Sequence, residues 1–451
     1  MLNRRRLILG AASLAAGAAL GLAGARAATS GGLDATGFGL RPNAGDDQSP
    51  AFQKMLDAAA LTDTPLFLPP GTYIVSNVSL PRRVRLSGVA GATRLLFGGD
   101  GHFLRAERSE LVALDGLLFD GAHRWLGEET KGLLDFRAVP DLTLRDCRII
   151  DSGANGLALE AVSGRVEGST VSGAADAGIY SVEAGRLTIA GNTVADCANG
   201  GILIHRWQPG EDGTMITGNR IARIAARNGG TGQFGNGINA FRANGVLIAD
   251  NSVEDCAFSA IRANSSSNIR IHGNAALRSG ETALYTEFAF DGAVINANMV
   301  DGAANGISVV NFNEGGRMGA VSGNIVRNLS TAGPYPADAP GFGVGISVEA
   351  DCAVSGNVIE AAPLYGIGLG WGAFLRDVVA TGNVIRDAGT GIAVSVAPGA
   401  GRAVITDNLV SGSRNGGIVG YAWTKPVTGE LGDGADTKSW PNLTIARNQV
   451  G

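Results

Sequence analysis

With 451 residues, 69 of them glycine and only 6% aromatic, the chain carries about twice the usual share of glycine without any G-X-Y period, which implies many tight turns and excludes collagen. A formal net charge of -5 and a pI near 5.5 provide no basic field to steer a nucleic acid, and none is expected as a partner. An acidic polysaccharide stays open, because a local arginine cluster can bind carboxylates on a mildly acidic protein.

The N-terminus reads MLNRRRLILGAASLAAGAALGLAGARA, with Arg4, Arg5 and Arg6 before a mild Ala/Gly-rich apolar stretch and an A-x-A site at Ala25 to Ala27. This pattern predicts a twin-arginine export signal over residues 1–27, cut before Ala28. The apolar stretch is short for a membrane span. A periplasmic or secreted location follows, with membrane contact only through the signal during export. Residues 28–451 are then expected to form a single domain, with a cap over about 34–65 and coils over about 66–451.

Within the cap, SPAFQKMLDAAAL from Ser49 to Leu61 predicts a helix with Ser49 as N-cap and Pro50 at its first position. Phe52, Met55, Leu56 and Ala59 fall on one face, suited to cover the open apolar end of a stack of coils. The run PLFLPPGTYIVS then reads as the first strands.

From about residue 140 one phrase recurs: an Asn, an apolar residue, about ten more residues, then Gly-Ile and an alternating run. GNTVADCANGGILI, DNSVEDCAFSAIRA and GNVIRDAGTGIAVSV are clear copies. The asparagines are Asn192, Asn219, Asn251, Asn274, Asn298, Asn324, Asn357, Asn383, Asn408 and Asn448, and their shortest intervals are 23 and 24 residues. That period, with short alternating β-type runs, predicts an all-β right-handed parallel β-helix with an N-terminal capping helix. Asn and Gly are expected at turns that need positive φ, and the stacked asparagines are expected to bond from coil to coil. Cys147, Cys197, Cys256 and Cys352 lack C-x-x-C pairing and are expected as buried small hydrophobes; Cys197 and Cys256 share one column on non-adjacent coils.

Asp34 followed by ATGFGLRPNAGDDQSPAFQKMLDAAA, and then PLFLPPGTY from Pro65, resembles the lead-in segment of pectate-lyase-like β-helix proteins, among them polysaccharide lyases, glycoside hydrolases and phage tailspikes. With the export signal and the Asn and Gly-Ile repeats, the whole chain also resembles a family of twin-arginine-translocated repeat proteins of uncharacterised activity. The resemblance implies the fold and leaves the reaction open. A monomer is expected, with a tailspike-like trimer as the second arrangement.

Aligning the Gly-Ile runs puts Leu203, Asn239, Arg262, Tyr285, Ser308, Ser347 and Gly368 in one outward column and His205, Phe241, Asn264, Glu287, Val310, Glu349 and Gly370 in another. A groove is therefore expected over residues 203–288, walled by the insertions 206–214, 227–237 and 331–343. Tyr285, Glu287, Arg262 and His205 are the candidate catalytic residues. Asn239, Arg242, Asn264, Arg206, Trp207, Glu349 and Trp371 are the candidate substrate-binding residues. Arg262 would bind a uronate carboxylate while Tyr285 or Glu287 moves a proton, giving a polysaccharide lyase or epimerase.

Two alternatives stand beside that reading. One is a noncatalytic module that binds glycan or protein. The other is a glycoside hydrolase using Glu287 with Glu349, two coils or roughly 10 Å apart. The signatures of polygalacturonase-like hydrolases, calcium-dependent pectate lyases and alginate-epimerase-like enzymes are absent. No cofactor or metal is expected, since the columns supply Asn, Glu and Arg rather than the aspartate cluster calcium takes. The insertion WTKPVTGELGDGADTKSW reads equally as a lid or an inert loop.

Overall fold

A computed structural model describes residues 33–432 and 439–451; the expected export signal lies outside the described residues. Each coil of the chain contributes one short strand to each of three parallel sheets, so every third strand in sequence is a hydrogen-bonded neighbour. Leu142–Arg145, Arg148–Ile150 and Asn155–Glu160 form one such coil. The next coil stacks on it with Leu142 opposite Gly164 and Ile149 opposite Val171. The sheet that carries the Gly-Ile runs, here the Gly-Ile sheet, ends in an antiparallel hairpin, where Lys425–Glu430 folds back on Ile418–Ala422.

The core is a set of stacked aliphatic columns. Ile202, Ile238, Ile261, Leu284, Ile307, Ile346 and Ile367 pair in register and are each fully buried. Each such side chain removed from water contributes ~1.5–3 kcal/mol. Where a glycine precedes the isoleucine, it is required by close approach and not by its φ. A Cβ on Gly237 would lie 2.4 Å from Val253 Cγ1 and 2.7 Å from the Ala260 carbonyl oxygen.

The asparagine ladder differs from expectation in one detail. Its members do not themselves take positive φ; the residue just before each does, as in Gly191, Asp250 and Ala297. That turn points the asparagine inward, where its amide is fully used. Asn298 N–H and Nδ2 both donate to Asn324 Oδ1 at 3.0 Å, and Nδ2 also donates to the Ile271 carbonyl at 3.0 Å. The ladder runs unbroken from Asn192 to Asn448 and extends back through Ser169, whose N–H donates to Asn192 Oδ1, to Cys147, whose N–H donates to Ser169 Oγ. All four cysteines are buried and unpaired.

The capping helix spans Ser49–Thr62 and buries Phe52, Met55, Leu56 and Ala59 against the first coil. Its N-cap is Gln48 rather than Ser49, because Asp47 Oδ1 accepts the Ser49 N–H at 3.0 Å and so serves the first turn one step earlier. No helix among the described residues is long and apolar enough to cross a membrane.

Candidate active site

The registers place the outward columns as aligned. Asn239 pairs with Arg262, Arg262 with Tyr285, Tyr285 with Ser308, and Ser308 with Ser347. Solvent access departs from the expected groove, because side chains and a loop fill much of residues 203–264.

At the N-terminal end, His205 lies edge-on to Tyr180 and Phe241, with ring centroids at 5.3 and 5.5 Å. Burial among these rings pushes its imidazole down to about 4, so it is neutral at physiological pH. Beside it, Arg206 pairs with Glu183 at 2.6 Å. Arg242 lies over the Phe241 ring at 4.7 Å and donates to the Trp207 carbonyl at 2.7 Å. The Trp207 indole is exposed. These groups pack along the extended strand Gly200–Glu211 and its neighbour Asn236–Asn244, with His205 Nε2 and Arg206 Nε buried without a hydrogen-bond partner. The 206–214 insertion bulges out of register between His205 and Gly210, and Gly210 and Glu211 then rejoin the sheet opposite Ala243 and Asn244.

Arg262 sits in the middle of the face and is 7% exposed. Its Nε and Nη2 lie 2.5 Å from Glu287 Oε1, its Nη1 is 3.8 Å from Glu281 Oε2, and its guanidinium lies 5.3 Å over the Tyr285 ring. Asn264 Nδ2 also donates to Glu287 Oε1, at 2.8 Å. Burial pushes the Glu287 carboxyl up, and Arg262 opposes that shift. Gly232 of the 227–237 insertion lies so close that an added Cβ would stand 1.8 Å from Arg262 Nη1. Asn239, in the preceding coil, is 6% exposed, with no partner for its Oδ1. The arginine expected to receive a uronate carboxylate is thus already held by two carboxylates of its own chain, beneath a loop.

The open cavity lies further along the same face, over the coils from Tyr285 to Trp423. Its volume is about 250 Å³, just below the usual range of ligand pockets, roughly 300–1,000 Å³. Ser308, Ser347 and Gly368 make a small-residue floor, and the 331–343 insertion makes one wall. That wall is pinned: Tyr335 OH donates to Glu281 Oε1 at 2.5 Å, stacks on Phe258 and meets Phe342 edge-on. Trp371 and Trp423 line the far side, with ring centroids 5.4 Å apart, while Tyr365 and Tyr421 lie 5.2 Å apart beside them. Trp423 stands over Gly372, where any Cβ would strike its ring.

Glu349 lies at this cavity and is 8% exposed. Burial pushes its carboxyl up to about 7 against the opposing backbone donors, one of which, the Phe312 N–H, reaches its Oε2 at 2.6 Å. A carboxyl poised there is divided between acid and carboxylate at neutral pH. Tyr285 moves away from the role of base. Burial, reinforced by Glu287 and Glu281, holds its hydroxyl above the ordinary tyrosine range. The cavity lining includes the carboxylates of Glu281, Asp338 and Glu349 and no Lys, Arg or His. Among the described residues no group of three or more His, Cys, Asp and Glu side chains could hold a metal ion.

Of the sequence-predicted residues, this cavity brings together Tyr285, Glu349 and Trp371. It leaves His205, Arg206, Trp207, Asn239, Arg242, Arg262, Asn264 and Glu287 outside its lining. Glu281 and Tyr335 are additions. Glu281 stands two residues before the ALYTEFA run, and Tyr335 lies within an insertion already marked as a wall.

Residues 141–315 and 207–376 each match the sequence pattern of the right-handed β-helix region, together spanning just over half of the chain. The chain belongs to the right-handed β-helix family. No curated protein sequence matches this β-helix chain. Among solved structures, it is similar to the pre-mature gene product 12 of bacteriophage phi29, with a TM-score of 0.52 and 16% identity over 86% of this chain and 55% of that one. It spans about half the length of that phage protein. It is also similar to the mannuronan C-5 epimerase A-module of Azotobacter vinelandii, with a TM-score of 0.48 and 14% identity over 93% of this chain and 99% of that one. A third is the catalytic unit of an alpha-1,3-glucanase from Streptomyces thermodiastaticus, with a TM-score of 0.44 and 14% identity over 94% and 69% of the two chains. At such identities the likeness is one of fold.

Proposed function

We propose that this β-helix protein binds a carbohydrate in the cavity between the 331–343 wall and the Trp371–Trp423 pair, and cleaves it by hydrolysis. The observation that supports this reading is the Glu349 carboxyl, pushed up to about 7 inside an aromatic-lined cavity. Glu349 donates its proton to the glycosidic oxygen as the bond to the anomeric carbon breaks. Water adds its oxygen to that carbon and gives up a proton to solvent, from which Glu349 is reprotonated, so the products are two free sugars. Hydrolysis is preferred over the uronate lyase or epimerase expected from the sequence, because Arg262 is committed to Glu287 and Tyr285 is shifted away from acting as a base.

The test is to incubate the purified protein with a panel of polysaccharides while following reducing ends and the ultraviolet absorbance of unsaturated uronates. Reducing ends without absorbance, lost by roughly 10²–10⁴-fold in Glu349→Gln with binding retained, are expected. The alkaline limb of the rate should fall near pH 7. Rising absorbance would return the case to elimination, and binding without turnover would leave a noncatalytic module.

We also propose that the protein is exported beyond the inner membrane through the twin-arginine signal at residues 1–27. Mass spectrometry of the exported protein should find Ala28 at its N-terminus, and replacing Arg4, Arg5 and Arg6 with Lys should leave it in the cytoplasm.

A further inference from the structure

Resting on that reading, we infer that the cavity takes an amino sugar, a glycan unit whose free amine is protonated at neutral pH. The cavity and its aromatic lining make the site; the charges around it choose the ligand. Glu281, Asp338 and Glu349 line the cavity without any Lys, Arg or His. Arg262, whose guanidinium lies over the Tyr285 ring of the lining, is 7% exposed and lies 2.5 Å from Glu287, and Arg376, over Phe312, is paired with Asp351. Counting Arg262 against Glu281 and Glu287 leaves that neighbouring cluster with net negative charge, and Asp338 adds to it from an exposed position on the wall.

A uronate entering here meets like charge with no cation to receive it, which costs affinity. An uncharged sugar gains nothing from the carboxylates beyond hydrogen bonds. An ammonium group gains from them directly, and gains again from aromatic faces. Trp371, Trp423, Tyr365 and Tyr421 all line the cavity. The same pairing of carboxylates with indole and phenol rings that repels a uronate is what a sugar amine requires. N-acetylation removes the charge while keeping the ring, and supplies the control.

The experiment is calorimetric titration of the purified protein with oligomers of glucosamine and of galactosamine, each beside its N-acetylated counterpart and a uronate oligomer, at low and moderate salt. The free-amine oligomers should bind about tenfold more tightly than their acetylated partners, with the gap narrowing as salt rises. Asp338→Asn, a change on an exposed loop, should narrow the gap several-fold. Trp371→Ala should weaken every sugar that binds in the cavity. Equal or tighter binding of neutral or uronate oligomers, still sensitive to Trp371→Ala, overturns the amino-sugar inference and leaves a carbohydrate cavity standing. Absence of binding by any of these glycans removes the carbohydrate reading as well.

Discussion

The Gly-Ile sheet carries polar outward residues along much of its length, yet its two halves use them in opposite ways. Over residues 203–264 the polar groups turn to one another: Arg206 to Glu183, Arg242 to the Trp207 carbonyl, Arg262 and Asn264 to Glu287. Over residues 285–423 the floor is Ser308, Ser347 and Gly368, too short to fill the space, and the carboxyl of Glu349 is left beside a cavity. The same alternation of a β-strand therefore yields a closed polar cluster where long side chains meet and a binding cavity where small ones do. Charge density alone does not mark a site. What distinguishes one is polar groups that neighbouring side chains leave room to reach.

The strongest way to break this contrast is to open the closed half. Arg262→Ala strands the buried Glu287 carboxyl without its partner and should destabilise the protein by ~3–5 kcal/mol, read as a fall in the denaturant midpoint. An Arg262→Ala protein as stable as the parent would mean that the cluster is not the closed unit described.

The second effect concerns pH in the open half. The folded Glu349 carboxyl is raised from 4.5 to about 7. Between these values the unfolded chain is ionised while the folded one keeps its proton, so the folded state binds more protons and loses stability as pH rises through that window. The penalty is absent below about 4.5 and complete above about 7. Glu349→Gln should therefore be more stable than the parent at pH 8 by about 3 kcal/mol, and no more stable at pH 4. Parallel stability curves for the two proteins across this range would show that Glu349 titrates as an ordinary exposed carboxylate.

The smallest effect sharpens the boundary between the halves. Tyr335→Phe removes the hydroxyl that joins the 331–343 wall to Glu281 and should cost ~1 kcal/mol. Hydrogen exchange should rise in the wall segment and stay unchanged in the Arg262 cluster.

The architecture was legible because a solenoid repeats its physics. Ile202 through Ile367 had to share a column once the Gly-Ile runs were aligned, and the pairing of Arg262 with Tyr285 followed from the same alternation. The asparagines were legible for the same reason, although the positive φ belongs to the residue before each one. The site was only half legible. Glu349 and Trp371 could be named because they stand in, or directly beside, an alternating run. Tyr335 could not, because an insertion has no period, and its bond to Glu281 spans 54 residues. The exposure of Arg262 depended on where Gly232 came to rest, which alternation along a strand does not encode. A guanidinium between two carboxylates reads in sequence like one awaiting a ligand.

The asparagine ladder has a consequence for how such a chain can change. Successive rungs are joined across 23 residues between Asn251 and Asn274, 33 between Asn324 and Asn357, and 40 between Asn408 and Asn448. The hydrogen bonds at each rung are nevertheless alike, 2.9–3.0 Å from one amide to the next. The ladder works as a ruler whose marks stay fixed while the lengths between them vary, resetting the phase of the chain once per turn. Segments of different lengths are thus held between marks with the coils that follow kept in register, which leaves the loops around the cavity free to diverge over an unchanged scaffold.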